Sequence, residues 1–136
     1  MTPRLDLFGI ITDDMAASLA FYRRLGLAVP ADADRQPHVE ITLPGGGRLA
    51  WDTADTVRAF LPDWTPPQGG HRLSLAFLCE GPTEVDTLWT ELTQAGYTGE
   101  KAPWDAFWGQ RYAIVLDPDG NPVDLFAPLP QAESPS

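Results

Sequence analysis

The 136-residue chain has the usual size of one domain, and its 43% hydrophobic and 21% charged residues are ordinary globular proportions. Nine Lys and Arg against nineteen Asp and Glu give a formal net charge of -10, which argues against nucleic acid or an anionic membrane as partner. No apolar run approaches the roughly 20 residues of a membrane-spanning helix, Met1-Thr2-Pro3-Arg4 does not open a signal peptide, and the single Cys79 cannot form an intramolecular disulfide, so a cytoplasmic protein is expected.

Residues Leu5 to Thr12 are apolar and rich in β-branched or aromatic types, which predicts a strand. Asp13-Asp14 then supplies a helix N-cap, Met15, Leu19, Tyr22 and Leu25 recur at helical spacing, and Gly26 stands where a left-handed C-terminal cap is expected. A short strand is expected at Leu27 to Val29. His38 to Leu43 and Arg48 to Asp52 read as a hairpin around Gly45-Gly46-Gly47, completing a β-α-β-β-β module. Thr53 to Gly70 holds a possible short helix around Thr56 to Leu61 and then a Pro- and Gly-rich linker.

The same order repeats. A strand at Arg72 to Cys79 leads through Gly81-Pro82 into a helix with Val85, Leu88 and Leu92 as its apolar stripe and Gly96 as its cap. An extended piece follows near Thr98 to Trp104, and strands at Tyr112 to Leu116 and Pro122 to Ala127 flank the turn Asp117-Pro118-Asp119-Gly120-Asn121. The capping glycines Gly26 and Gly96 and the final strands starting at Leu49 and Val123 keep a near-constant offset, which indicates an internal duplication. The expected fold is α+β: two tandem βαβββ modules whose curled mixed sheets enclose a cavity, since one helix per module covers one sheet face and leaves the other open. The expected domain is residues 1–130, with modules at about 5–52 and 72–127, a linker at 53–71 and a flexible tail at 131–136.

Asp13-Asp14 through Ser18-Leu19-Ala20-Phe21-Tyr22 and Leu25-Gly26-Leu27, with Asp117-Pro118-Asp119-Gly120-Asn121-Pro122-Val123-Asp124, resembles the vicinal oxygen chelate superfamily over about residues 5 to 127. That group includes glyoxalase I, extradiol dioxygenases and the bleomycin-resistance proteins. The resemblance implies metal-ligand positions on the first and last strand of each module, which fall here on Leu7, Ala50, Ser74 and Asp124. Only Asp124 can ligate a divalent ion, whereas a catalytic site needs roughly three protein ligands, so no metal and no cofactor are expected. His38 and His71 lack a second histidine or cysteine at ligand spacing and read as surface or hydrogen-bonded histidines.

The resemblance also implies a cavity wall. If Leu7 and Ala50 face the cavity, strand alternation turns Gly9, Asp52, Ala76 and Phe126 inward with Ser74 and Asp124. Glu40, sharing a face with His38 and Thr42, is a second wall carboxylate, and the alternative for Glu40 and Asp52 is a solvated rim. Among the five tryptophans Trp51 and Trp89 read as packing residues, whereas Trp104, Phe107 and Trp108 crowd one expected loop and are candidates for a ligand wall, with Trp64 and Arg111 beside them in the candidate set. Arg111 could bind a ligand's carbonyl, but an Arg beside a strand end is more often one half of a structural ion pair.

The functional expectation is a metal-free protein that sequesters an aromatic or cationic, antibiotic-like small molecule, with homodimer formation implied by the resemblance. The alternatives are a metal-independent lyase- or isomerase-like enzyme of the same fold, using groups such as Glu40, Asp52, Asp124 or Arg111, and a regulatory domain acting through its surface.

Overall fold

A computed structural model describes residues 2–130, and the expected tail at 131–136 lies outside them. The chain divides between Gln68 and Gly69 into two compact units.

In the first unit, β1 (Leu7–Thr12), β2 (His38–Thr42) and β3 (Arg48–Thr53) form a three-stranded sheet in the order β1-β3-β2. β1 pairs with β3 in parallel and β2 with β3 antiparallel. Helix α1 (Met15–Arg24) starts where the Asp14 carboxylate accepts the Ala17 N–H at 3.1 Å. It ends in a Schellman motif: Leu27 N–H reaches the Tyr22 carbonyl and Gly26, at φ 91°, donates to the Arg23 carbonyl. Met15, Ser18, Leu19, Phe21 and Tyr22 are buried, one face at helical spacing. Tyr22 meets the wholly buried Trp51 edge-on, with ring centroids 5.6 Å apart. Burial of each such ring stabilises the unit by about 1.5–3 kcal/mol. The short helix α2 (Ala54–Arg58) follows β3 directly and packs on β3 and β1.

Leu27–Val29 is not a strand, so the first unit carries three strands rather than the four of a βαβββ module. The Val29 carbonyl accepts from Arg23 Nε at 3.2 Å and the Val29 N–H turns back on the Leu27 carbonyl, so neither is offered to a neighbouring strand, and a 3-10 turn at Ala31–Arg35 leads into β2.

The second unit has all the expected elements: β4 (Leu75–Leu78), α3 (Pro82–Gln94), β5 (Gly99–Ala106), β6 (Gln110–Leu116) and β7 (Pro122–Pro128), with sheet order β4-β7-β6-β5. β4 is shorter than the expected Arg72–Cys79, and β5 extends past Trp104 to Ala106, so Trp104 stands on a strand rather than in a loop. The C-terminus of α3 repeats the Schellman motif of α1, with Gly96 at φ 102° and Tyr97 N–H on the Leu92 carbonyl. Helix α3 covers one sheet face, where Val85, Leu92, Ala113, Val115, Val123, Leu125 and Ala127 are buried. The fold is therefore α+β, with sheets of three and four strands.

At Gly99, where β5 leaves α3, a Cβ would stand 2.5 Å from Trp89 Cζ2 and 3.0 Å from Thr93 Cγ2. Trp89 is held there by donation from its indole N–H to the Ile114 carbonyl at 3.4 Å. Gly99→Ala is therefore expected to lower stability by about 1–3 kcal/mol through overpacking, read as the shift in the urea midpoint at unchanged m-value.

Candidate functional site

Alternation in the second sheet sends Arg111, Ala113 and Val115 toward α3 and Tyr112, Ile114 and Leu116 to the face that no helix of this unit covers. Cross-strand register adds neighbours to that open face. Trp104 stands opposite Tyr112, Phe126 opposite Tyr112 on the other side, Asp124 opposite Ile114, and Ala76 opposite Asp124.

The rings form one continuous cluster. Tyr112 stacks on Phe126 with centroids 6.1 Å apart and meets Trp104 at 5.5 Å and Trp108 at 5.4 Å edge-on. Trp104 and Trp108 meet at 6.0 Å, and Phe107, at the tip of the β5–β6 turn and 97% exposed, meets Trp108 at 4.9 Å. Trp108 is held by donation from its indole N–H to Gln110 Oε1 at 2.9 Å. The Lys101 ammonium sits 4.6 Å over the Trp104 ring, a cation–π contact.

Within this apolar surface lies one buried carboxylate. Asp124 Oδ2 accepts a short hydrogen bond from the Tyr112 hydroxyl and a long one, 3.4 Å, from Ser74 Oγ. Burial first, and then donation to Asp124, pushes the Tyr112 hydroxyl up to about 12, so it is a neutral donor at ordinary pH.

The open face of the first sheet is built differently. His38 stands opposite Asp52 and Glu40 opposite Ala50, and all share the face of Leu7 and Gly9. His38 Nδ1 lies 2.6 Å from Asp52 Oδ1 and its Nε2 lies 3.0 Å from Glu40 Oε2. Arg48 donates to Glu40 and to Asp6, both at 2.7 Å. Glu40 first, and then Asp52, raise His38 above the ordinary imidazole value, while His38 and Arg48 lower Glu40, and Arg48 lowers Asp6. Each charge in the row is thus paired with at least one of opposite sign when His38 is protonated.

The expected site residues thus separate. Trp104, Phe107, Trp108, Ser74, Asp124 and Phe126 gather in the second unit. Arg111 lies on the opposite face of its sheet, donating to Asp86 of α3 at 2.9 Å and to Asp105 at 3.0 Å, the structural ion-pair alternative. Glu40 and Asp52 belong to the charged row of the first unit, and Trp64 follows α2 there, under the Arg58 guanidinium at 5.3 Å. Trp51 and Trp89 are packing residues, as their sequence context indicates. Tyr112, the centre of the ring cluster, was not a candidate from sequence. The signal was present in a hairpin that closes around Phe107-Trp108-Gly109 and sets Trp104 opposite Tyr112.

The four positions that the resemblance assigns to metal ligands do not fit a metal. In the first unit Leu7 and Ala50 offer only hydrocarbon. In the second, Ser74 and Asp124 are bonded to each other, with Tyr112 on the same carboxylate oxygen. No group of three or more His, Cys, Asp or Glu among the described residues is placed to hold a metal ion.

The family model for the Glyoxalase/Bleomycin resistance protein/Dioxygenase superfamily matches residues 4–125. The chain belongs to this superfamily. Solved structures similar to this superfamily member include a glyoxalase/bleomycin resistance protein/dioxygenase family enzyme from Burkholderia phytofirmans PsJN, at TM-score 0.78 and 22% identity over 93% of this chain and 100% of that one. A glyoxalase/bleomycin resistance protein/dioxygenase from Nocardioides gives TM-score 0.72 and 24% identity over 100% of this chain and 90% of that one. A glyoxalase-related enzyme from Fulvimarina pelagi gives 0.77 and 20% over 93% and 88%. At these identities the likeness is one of fold. Comparison with curated proteins gives no match. Among the described residues of this superfamily member, no helix is long and apolar enough to cross a membrane.

The His38 row yields a pH dependence. A histidine whose folded value is raised contributes stability that is fully present below the ordinary imidazole value of about 6.5 and is lost as pH rises through the folded value. Urea midpoints are therefore expected to fall as pH rises above about 6.5, with a shallower fall in His38→Asn, whose side chain does not titrate.

Proposed function

We propose that this superfamily member is a metal-free binding protein for a small aromatic molecule of antibiotic-like size, held against the open face of the second sheet and sequestered unaltered. The observation that carries this reading is the ring cluster of Trp104, Trp108, Tyr112 and Phe126, which leaves an aromatic wall on a face no helix of its unit covers. An apolar surface with a single convergent polar centre, Ser74-Asp124-Tyr112, suits orientation of a flat ligand better than it suits ion binding. Purified protein is accordingly expected to carry no stoichiometric zinc, nickel, iron or manganese by elemental analysis; an equimolar metal that resists mild chelation would overturn the metal-free reading.

The same proposal includes a cytoplasmic homodimer. The exposed apolar side chains Leu73, Leu78 and Phe107 of the second unit are compatible with a further covering surface. Light scattering at micromolar concentration is expected to give about twice the 14.9 kDa chain mass, and a clean monomer mass would contradict it.

Two tryptophan variants separate wall from core. Trp51→Ala is expected to cost about 3–5 kcal/mol of stability, because Trp51 is wholly buried against Tyr22. Trp108→Ala, at a half-exposed position, is expected to cost far less and instead to weaken a stacked aromatic ligand by roughly 5- to 150-fold. Binding is screened with aromatic compounds, and the retained compound is recovered for mass analysis. Unaltered compound supports sequestration, whereas chemically altered compound would favour the metal-independent lyase or isomerase reading. A severely destabilised Trp108→Ala with undiminished binding would show the ring to be core.

A further inference from the structure

The open face of the second sheet carries one anionic group among hydrocarbon and rings, and the two oxygens of that group are not equivalent. Tyr112 Oη and Ser74 Oγ both donate to Asp124 Oδ2. Oδ1 accepts no hydrogen bond from the described residues, and it is not among the sealed polar atoms left without a partner, so solvent reaches it although Asp124 as a whole is only 9% exposed. A carboxylate held this far from bulk water and satisfied on one side retains an accepting oxygen that favours a charged donor.

The surroundings point the same way. Tyr112, which bonds Asp124, stacks on Phe126 and meets Trp104 edge-on, and Trp104 already takes a cation on its face, the Lys101 ammonium at 4.6 Å. An anionic ligand beside Asp124 would meet its charge directly, because the Lys101 ammonium lies over the Trp104 ring and Arg111 is engaged by Asp86 and Asp105 on the other side of the sheet. A divalent metal would need several more donors. A protonated amine needs one carboxylate oxygen and an aromatic surround.

We infer that Oδ1 of Asp124 anchors the protonated amine of a cationic aromatic ligand, so the class of molecule taken by this site is an aryl- or arylalkyl-ammonium. The inference rests on the ligand lying on this face. The position that metal-dependent relatives give to a metal ligand then serves here as the counter-charge to an organic cation. Tyr112 and Ser74 act as positioning residues: by holding Oδ2 they fix which oxygen is offered.

The test compares two probes of nearly equal shape, 1-naphthylmethylamine, cationic at neutral pH, and 1-naphthylmethanol, neutral, by calorimetric titration of the full chain. Wild-type protein is expected to bind the amine at least about tenfold more tightly than the alcohol, or about 1.4 kcal/mol. Asp124→Asn is expected to bring that ratio close to one. Asp55→Asn, which removes the same charge at an exposed side chain of α2, is expected to keep it, separating Asp124 from the general attraction of an acidic protein. A wild-type ratio near one, or a ratio kept in a folded Asp124→Asn, overturns the ammonium anchor and leaves the aromatic wall standing. Absence of saturable binding for both probes overturns the wall and the anchor together. The wild-type comparison needs no variant, so it decides the matter even if Asp124→Asn does not fold.

Discussion

The site depends on the hydrogen bond from Tyr112 to Asp124. A carboxylate on a largely apolar face is costly to bury unless donors compensate it. The Tyr112 hydroxyl supplies that compensation, and the same bond fixes the ring on which Trp104, Trp108 and Phe126 converge. Remove it and both the buried charge and the orientation of the central ring lose their support. Burial, and then the same contact, raise the Tyr112 hydroxyl and keep the group a donor at neutral pH.

The two units share a scaffold and differ in the chemistry of their open faces. Both units end their main helix in the same Schellman motif, at Gly26 and at Gly96, and both pair their first and last strands in parallel. Their open faces differ in chemistry. In the first unit Asp6, Arg48, Glu40, His38 and Asp52 are engaged with one another along the row. In the second the corresponding face is aromatic, with one carboxylate. Such pairs on exposed surfaces contribute little stability each, and their effect is to fix side-chain positions along the β2 edge.

Much of the fold was legible in the sequence because its signals are local. Asp14 as N-cap, the apolar periodicity of α1 and α3 and the two capping glycines each act within one turn of helix. What was not legible depends on partners distant in sequence. Leu27–Val29 has a strand-like composition, but a strand requires a neighbour, and Arg23 takes the Val29 carbonyl instead. Trp104 joined β5 rather than a loop because Tyr112 stands opposite it. Arg111 stood among the wall candidates but read more readily as half of a structural ion pair, and alternation sends it to α3 and Asp86, a side that becomes evident once the register of β6 is known. Tyr112 itself was hidden for the same reason: only the pairing of β6 with both β5 and β7 makes it the hub of four rings.

Five tryptophans, distributed between wall and core, give the account its most direct test. Each indole N–H has its own nitrogen–proton correlation signal, and these can be assigned by substitution one at a time. On titration with 1-naphthylmethylamine the account predicts that the Trp104 and Trp108 signals move together and saturably, while those of the packed Trp51 and Trp89 stay in place. Movement of Trp64 alone, or of Trp51 and Trp89 with Trp104 and Trp108 unmoved, would contradict the assignment of the ligand to the open face of the second sheet.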